Sequence, residues 1–169
     1  MSERVERVDE HDRVVGVVDR DDAVRNGWFH RVAATVCRDT RGRYLVYRRA
    51  DGITRFPGHH DVCVGGAVAV GESYAAAAVR ELREELGIDV PVRPVCVFLC
   101  RGELTSYWLA VYEAVFDGEV RADPREIAWH GWLTPEELTE AIASWPFVSD
   151  GQIVFRRYLD AGRPQDSPQ

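Results

Sequence analysis

Residues Gly66–Ile88 read GAVAVGESYAAAAVRELREELGI, a glycine-led turn running into an alanine-rich helix. The pattern predicts that helix over Glu72–Leu86, free of proline and stopped by Gly87, the residue type best suited to a left-handed cap. At roughly 100° per residue, Glu84 and Glu85 lie at about 300° and 40° around the axis from Glu81, so three carboxylates share an arc of about 100°. Like charges stacked this way destabilise an isolated helix. An oxygen-seeking divalent cation reverses the penalty, and Mg²⁺ favours carboxylate and water ligands beside substrate phosphates. Arg80, four residues before Glu84, is placed to hold one carboxylate. Ala75–Ala78 offer a face small enough to press on a sheet. Gly65 and Gly66 permit a sharp turn that exposes a carbonyl as a further oxygen ligand. Glu72, in the expected first turn, suits the helix dipole.

Taken alone, a run such as RELREEL is usually a solvated helix face. The longer spacing decides otherwise. Gly66, five residues, Glu72, seven residues and then REL-R-EE-L-GI reproduce a pattern of seven fixed and two aliphatic positions. Chance gives that in about one chain in a million or fewer at average residue usage. The pattern is the Nudix box, and the chain resembles the Nudix hydrolases from Trp28 to about Ala143, including the later segment WLTPEEL. The resemblance implies an α/β fold, an α/β/α sandwich around a mixed central sheet. It also implies Mg²⁺-dependent hydrolysis, with Mn²⁺ as the other candidate, of a pyrophosphate linkage in a nucleoside diphosphate derivative: a nucleotide, a nucleotide sugar or a CDP-alcohol. Carried over residue by residue, Glu81, Glu84 and Glu85 become metal ligands with the Gly65 carbonyl, Arg80 orients a glutamate, and Glu72 supports the site. FHRVAATV at 29–36 and YRRADGITRFPGHHDV at 47–62 resemble the isopentenyl-diphosphate-isomerase-like branch. The catalytic Cys and metal-binding His of those isomerases fall here on Gly65 and Ala67, which carry neither group. Hydrolysis is therefore favoured over isomerisation. A catalytically silent nucleotide- or sugar-binding module is the other alternative, and the intact glutamate set speaks against it.

Outward from the box, Val5–Val8 and Val14–Val18 are expected to pair as a hairpin, so that residues 1–27 form an N-terminal extension. A domain over 28–161 follows, and 162–169 should fray. Trp28–Cys37 and Arg43–Arg49 read as neighbouring antiparallel strands around Thr40-Arg41-Gly42. Asp61–Val68, Val92–Leu99 and Tyr107–Phe116 read as further strands, and Asp117–Gly131 as mostly loop. Thr134-Pro135-Glu136-Glu137 is a helix-start signature, and Ser149-Asp150-Gly151-Gln152 offers a second one before a helix ending near Ala161.

The 169 residues suit one domain of the usual size, roughly 100–200 residues. All 21 basic residues are Arg, which excludes lysine Schiff-base chemistry and the GK[ST] phosphate loop. A net charge of −7 argues against broad nucleic-acid binding, which needs a basic face. A small phosphorylated substrate fits if Arg residues bind it locally: Arg31, Arg48, Arg49 and Arg55 are candidates. Phe56, Tyr107, Trp108 and Trp129 are candidates for stacking on a base. Glu103, Glu119 and Glu126 are candidate general bases. Cys37, Cys63, Cys96 and Cys100 read as buried thiols. No apolar run reaches the roughly 18 residues of a membrane span, and MSERVERVDE is too charged for a signal peptide. The expectation is a cytoplasmic enzyme without membrane association, with a homodimer open.

Overall fold

The computed structural model describes residues 2–162. The N-terminal hairpin forms as expected: β1 (Arg4–Val8) pairs antiparallel with β2 (Val14–Asp19). A short helix, α1 (Arg20–Asn26), follows it and adds to the elements expected from sequence. Its signals are local. The Asp19 side chain caps the first N–H groups and Gly27, at φ 66°, takes the left-handed cap. Val5 is fully buried with Ala23 and Ala67, so the hairpin is packed onto the rest of the chain rather than extended from it.

The main sheet is built on β3 (Arg31–Arg38). On one side β3 pairs antiparallel with β6 (Cys63–Ala67), and on the other it runs parallel to β8 (Ser106–Val115). The edge strand β7 (Arg93–Arg101) pairs antiparallel with β8. The expected pairing of β3 with β4 (Tyr44–Arg49) survives only at Arg38 and Tyr44. Beyond that point β4 leaves to pair with β5 (His60–Asp61) and β9 (Ile127–Leu133). β9 lies partly within the segment expected to be loop. Gly131 interrupts its apolar alternation, and its partner β4 is remote in sequence, so only tertiary pairing reveals it.

Successive β3 residues face opposite layers, as the period of two requires. Ala33 and Cys37 face α2 (Tyr74–Leu86), while Ala34 and Val36 face α3 (Pro135–Ser144) and α4 (Ser149–Gly162). The result is helix, mixed sheet, helix. The predicted box at Thr134 forms in full: Glu137 N–H donates to Thr134 Oγ1 and Thr134 N–H to Glu137 Oε2. That at Ser149 does not, because Ser149 is already helical and its hydroxyl donates to Glu103. Glu72 precedes the N-cap, Ser73, and so lies outside the first turn of α2. The expected fraying concerns residues that, apart from Gly162, lie outside the described ones. Cys37, Cys63 and Cys100 are buried and Cys96 half-buried, all as free thiols. No helix among the described residues is long and apolar enough to cross a membrane.

The sharp turn expected at Gly65 and Gly66 does not form: both lie in β6, paired with Ala34 and Ala33. The close approach there depends on Gly65, where an added Cβ would lie 2.1 Å from the Ala33 carbonyl oxygen. Gly65→Ala should therefore lower unfolding stability by about 1–3 kcal/mol. Gly16→Ala, at a position open to solvent within 4 Å, should change it by less than about 0.5 kcal/mol. Urea melts of the two variants beside the parent check the contrast.

Candidate active site

The Ser73 side chain caps α2 by accepting from Ala76 N–H, and Gly87, at φ 64°, ends it. Ala77, Ala78, Leu82 and Leu86 are buried against the sheet. Their burial fixes the helix rotation and turns Glu81 and Glu85 into a cleft of about 320 Å³. The cleft opens where β3 and β4 part, and the first turn of α4 also lines it. Gly66 lets Glu81 in: a Cβ there would sit 2.4 Å from Glu81 Oε1.

Arg80 organises the acids. Its Nε donates to Glu72 Oε1 at 2.8 Å and its Nη2 to Glu72 Oε2 at 3.0 Å. Nη2 also reaches the Ala67 carbonyl at 3.1 Å. Nη1 donates to Glu81 Oε1 at 2.7 Å and to Glu84 Oε2 at 3.3 Å. The expected Arg80–Glu84 pair is thus present but is the longest of the five bonds. Glu72 also accepts Ala69 N–H, and the Arg80 bonds hold its carboxyl below the usual range. Burial raises Glu81 despite Arg80. Burial, reinforced by the charge of Glu81, pushes Glu85 up to about 8.

Of the other expected site residues, Gly65, Arg49, Arg55 and Phe56 line the cleft. Arg49 donates from Nε to the Arg55 carbonyl, and Phe56 sits at φ 49°, an uncommon backbone for a residue with a side chain. Two of the expected arginines are engaged elsewhere. Arg31 binds Asp12 at 2.7 Å and Glu6 at 3.2 Å, both in the N-terminal hairpin, and lies over Tyr74. Arg48 pairs with Asp51 at 2.7 Å. Glu84 is 60% exposed, at the border rather than in the cleft. Among the described residues no three acidic, His or Cys side chains converge around one metal-sized point, because Arg80 draws Glu81 and Glu84 to itself.

Of the candidate bases, Glu126 reaches the cleft, whereas Glu103 accepts from Ser149 and the exposed Glu119 pairs with Arg121. Tyr107 lines the cleft along with Phe56. Trp108 donates to the Asp9 carbonyl, and Trp129 belongs to a separate surface cluster with His60 and Trp145. Sequence reasoning missed Asp61, His30 and the N-terminal residues Glu3 and Arg20, all of which line the cleft. No local spacing marks them, since strand pairing and hairpin packing bring them there.

Comparison with known proteins agrees with this geometry. The NUDIX domain profile matches residues 28–151. An uncharacterised Nudix hydrolase of Streptomyces coelicolor is 42% identical over 164 residues, covering 95% of this chain and 90% of the relative. A crystal structure from Deinococcus radiodurans superposes with a TM-score of 0.80 at 35% identity, covering 92% of this chain and 99% of that one. A protein of Methanosarcina mazei named a prenyl-diphosphate phosphatase is 31% identical over 150 residues, covering 84% of this chain and 85% of its own. With a match over most of its length and a box whose first glycine touches its first helix glutamate, the chain belongs to the Nudix hydrolase family, enzymes that act on pyrophosphate bonds.

Proposed function

We propose that this chain hydrolyses the pyrophosphate linkage of a nucleoside diphosphate derivative, with Mg²⁺ or Mn²⁺ held by Glu81, Glu84, Glu85 and the Gly65 carbonyl. One observation carries the reading. Glu81, Glu85, Asp61 and Glu126 line one cleft, and burial raises the proton affinity of the first three. Hard oxygen donors whose charged forms burial penalises fit a divalent cation. When bound, such a cation neutralises phosphate oxygens and lowers the pKa of a coordinated water.

The protein's own groups divide the remaining work. Arg80 fixes Glu81 and leaves exposed Glu84 free to rotate from a 3.3 Å contact. Arg49 and Arg55 present guanidinium groups suited to phosphate oxygens. Glu126 is the best placed of the three candidate bases to take a proton from attacking water. Phe56 and Tyr107 offer flat apolar surface to a base.

A second reading has its own support. Val32, Ala34, Leu109, Val148 and Val154 give the cleft an aliphatic wall. An isoprenoid diphosphate suits that lining, and the Methanosarcina relative's name points the same way. Hydrolysis is favoured over isomerisation in either case, because Gly65 and Ala67 supply no thiol or imidazole.

Phosphate release from nucleotides, nucleotide sugars, CDP-alcohols and prenyl diphosphates, with and without EDTA, tests both readings. Turnover should require Mg²⁺ or Mn²⁺, and Glu85→Gln should lower kcat about a hundredfold or more. Binding without turnover across the panel would overturn the hydrolase reading in favour of a silent module. A separate expectation concerns pH. Burial raises Asp61 from an ordinary 3.8 to about 7, although its carboxylate accepts Val62 and Cys63 N–H. A carboxyl that holds its proton more tightly when folded stabilises the fold at low pH and loses that contribution as pH rises through its folded value. Metal-free protein should therefore lose stability from about pH 4 to about 8 as Asp61 and Glu85 ionise, and Asp61→Asn should reduce the part of that slope below about pH 7 in chemical melts.

A further inference from the structure

One wall of the cleft comes from outside the matched domain. Glu3, Arg20 and Val24 belong to the segment before residue 28, yet they line the same cavity as Glu81 and Glu85. Arg20 meets two other basic side chains there, Arg55 and His30. The three are close enough that both guanidinium groups add to burial, the larger effect, in lowering the His30 imidazole to about 4.

The hydrogen bonding of this group is incomplete. His30 is 2% exposed, and its Nδ1 is buried without a partner among the described residues. The Nε of Arg20 is likewise buried and unpartnered among them. Among the described residues the Arg55 guanidinium has one loose ion pair, with Asp21 at 3.8 Å. Buried polar groups left this way cost stability unless something completes them. The anion paired with Arg20 is Glu3, whose Oε2 accepts from Arg20 Nη1 at 2.8 Å while its side chain stays 52% exposed. That carboxylate is held from behind by the chain itself, since Arg20 N–H donates to the Glu3 carbonyl.

We propose that Arg20, Arg55 and His30 form a subsite for a phosphate group of the diphosphate substrate, and that the Glu3 carboxylate fills it in the free chain as a displaceable anion. The assignment rests on the pyrophosphatase reading for its ligand, but its geometry comes from a segment that reading does not use. A phosphate entering the cleft offers more oxygens and more charge than one carboxylate. It takes the Arg20 guanidinium from Glu3 and reaches Arg55 as well, and Glu3 swings into solvent. The hairpin and α1 thereby act as part of the binding wall and select substrates that extend a phosphate to that side of the cleft.

Two measurements on the full chain test this. Calorimetric binding of inorganic pyrophosphate in EDTA should weaken about tenfold in Arg20→Gln, recover in Arg20→Lys and tighten several-fold in Glu3→Gln. Glu3→Gln should have no effect in the Arg20→Gln background, because the carboxylate acts only by competing for that guanidinium. In turnover assays the same variants should move KM in those directions with kcat nearly constant. A purely structural Glu3–Arg20 tie predicts lower melting temperatures for both variants and unchanged pyrophosphate affinity; that result overturns the subsite. If the pyrophosphate pattern holds while no diphosphate is turned over, the subsite stands and the hydrolase reading falls. If diphosphates are turned over while pyrophosphate affinity is indifferent to Arg20, the hydrolase reading stands and the subsite falls.

Discussion

The guanidinium of Arg80 is the contact on which the site depends. It spans the loop before α2 through Glu72, the end of β6 through the Ala67 carbonyl, and the helix face through Glu81 and Glu84. A planar, permanently charged group can hold several carboxylates at once in a way a lysine ammonium cannot. Without it, three helix acids and Glu72 would repel one another near a partly dry cleft. With it, Glu81 stays buried at 9% exposure, with a cation to balance it. The pairing also joins the two halves of the box: the loop is drawn against the helix, and Gly66 admits the glutamate to the space the loop leaves.

Local chemistry accounts for what is legible in the sequence. The box, the Gly87 stop and the Thr134 cap each rest on neighbours within a few turns of chain, so their residues announce them. β9 is hidden because Ile127–Leu133 becomes a strand only by pairing with β4. Ser149 misleads because a cap signature competes with any nearby acid, and Glu103 takes its hydroxyl. The arginines divide for the same reason. Asp51 follows Arg48 by three residues and claims it, while Arg31 is claimed by Asp12 and Glu6 on a hairpin whose docking no periodicity describes.

The N-terminal hairpin changes the meaning of the domain boundary. Its Val5 is as buried as any residue of the central sheet, bridging to Ala69 just beyond β6, and Val8 bridges to Phe29. Tyr74, at the start of α2, donates to Asp12 in the hairpin turn. The hairpin is thus tied to the connection between β6 and α2 at both Ala69 and Tyr74, although the profile match begins only at residue 28.

The parting of β3 and β4 has a mechanical consequence. Joined by backbone pairing at Arg38 and Tyr44, next to a turn pinned by Asp39, the two strands behave as the arms of a forceps. Past that pivot one segment, His60–Ala67, spans the gap, pairing with β4 through β5 and with β3 through β6. The jaw is therefore tied by backbone pairing across its width as well as at its pivot. Residues contributed by the two arms, Ala34 from β3 and Arg49 from β4, are thereby held at a set spacing across the cleft.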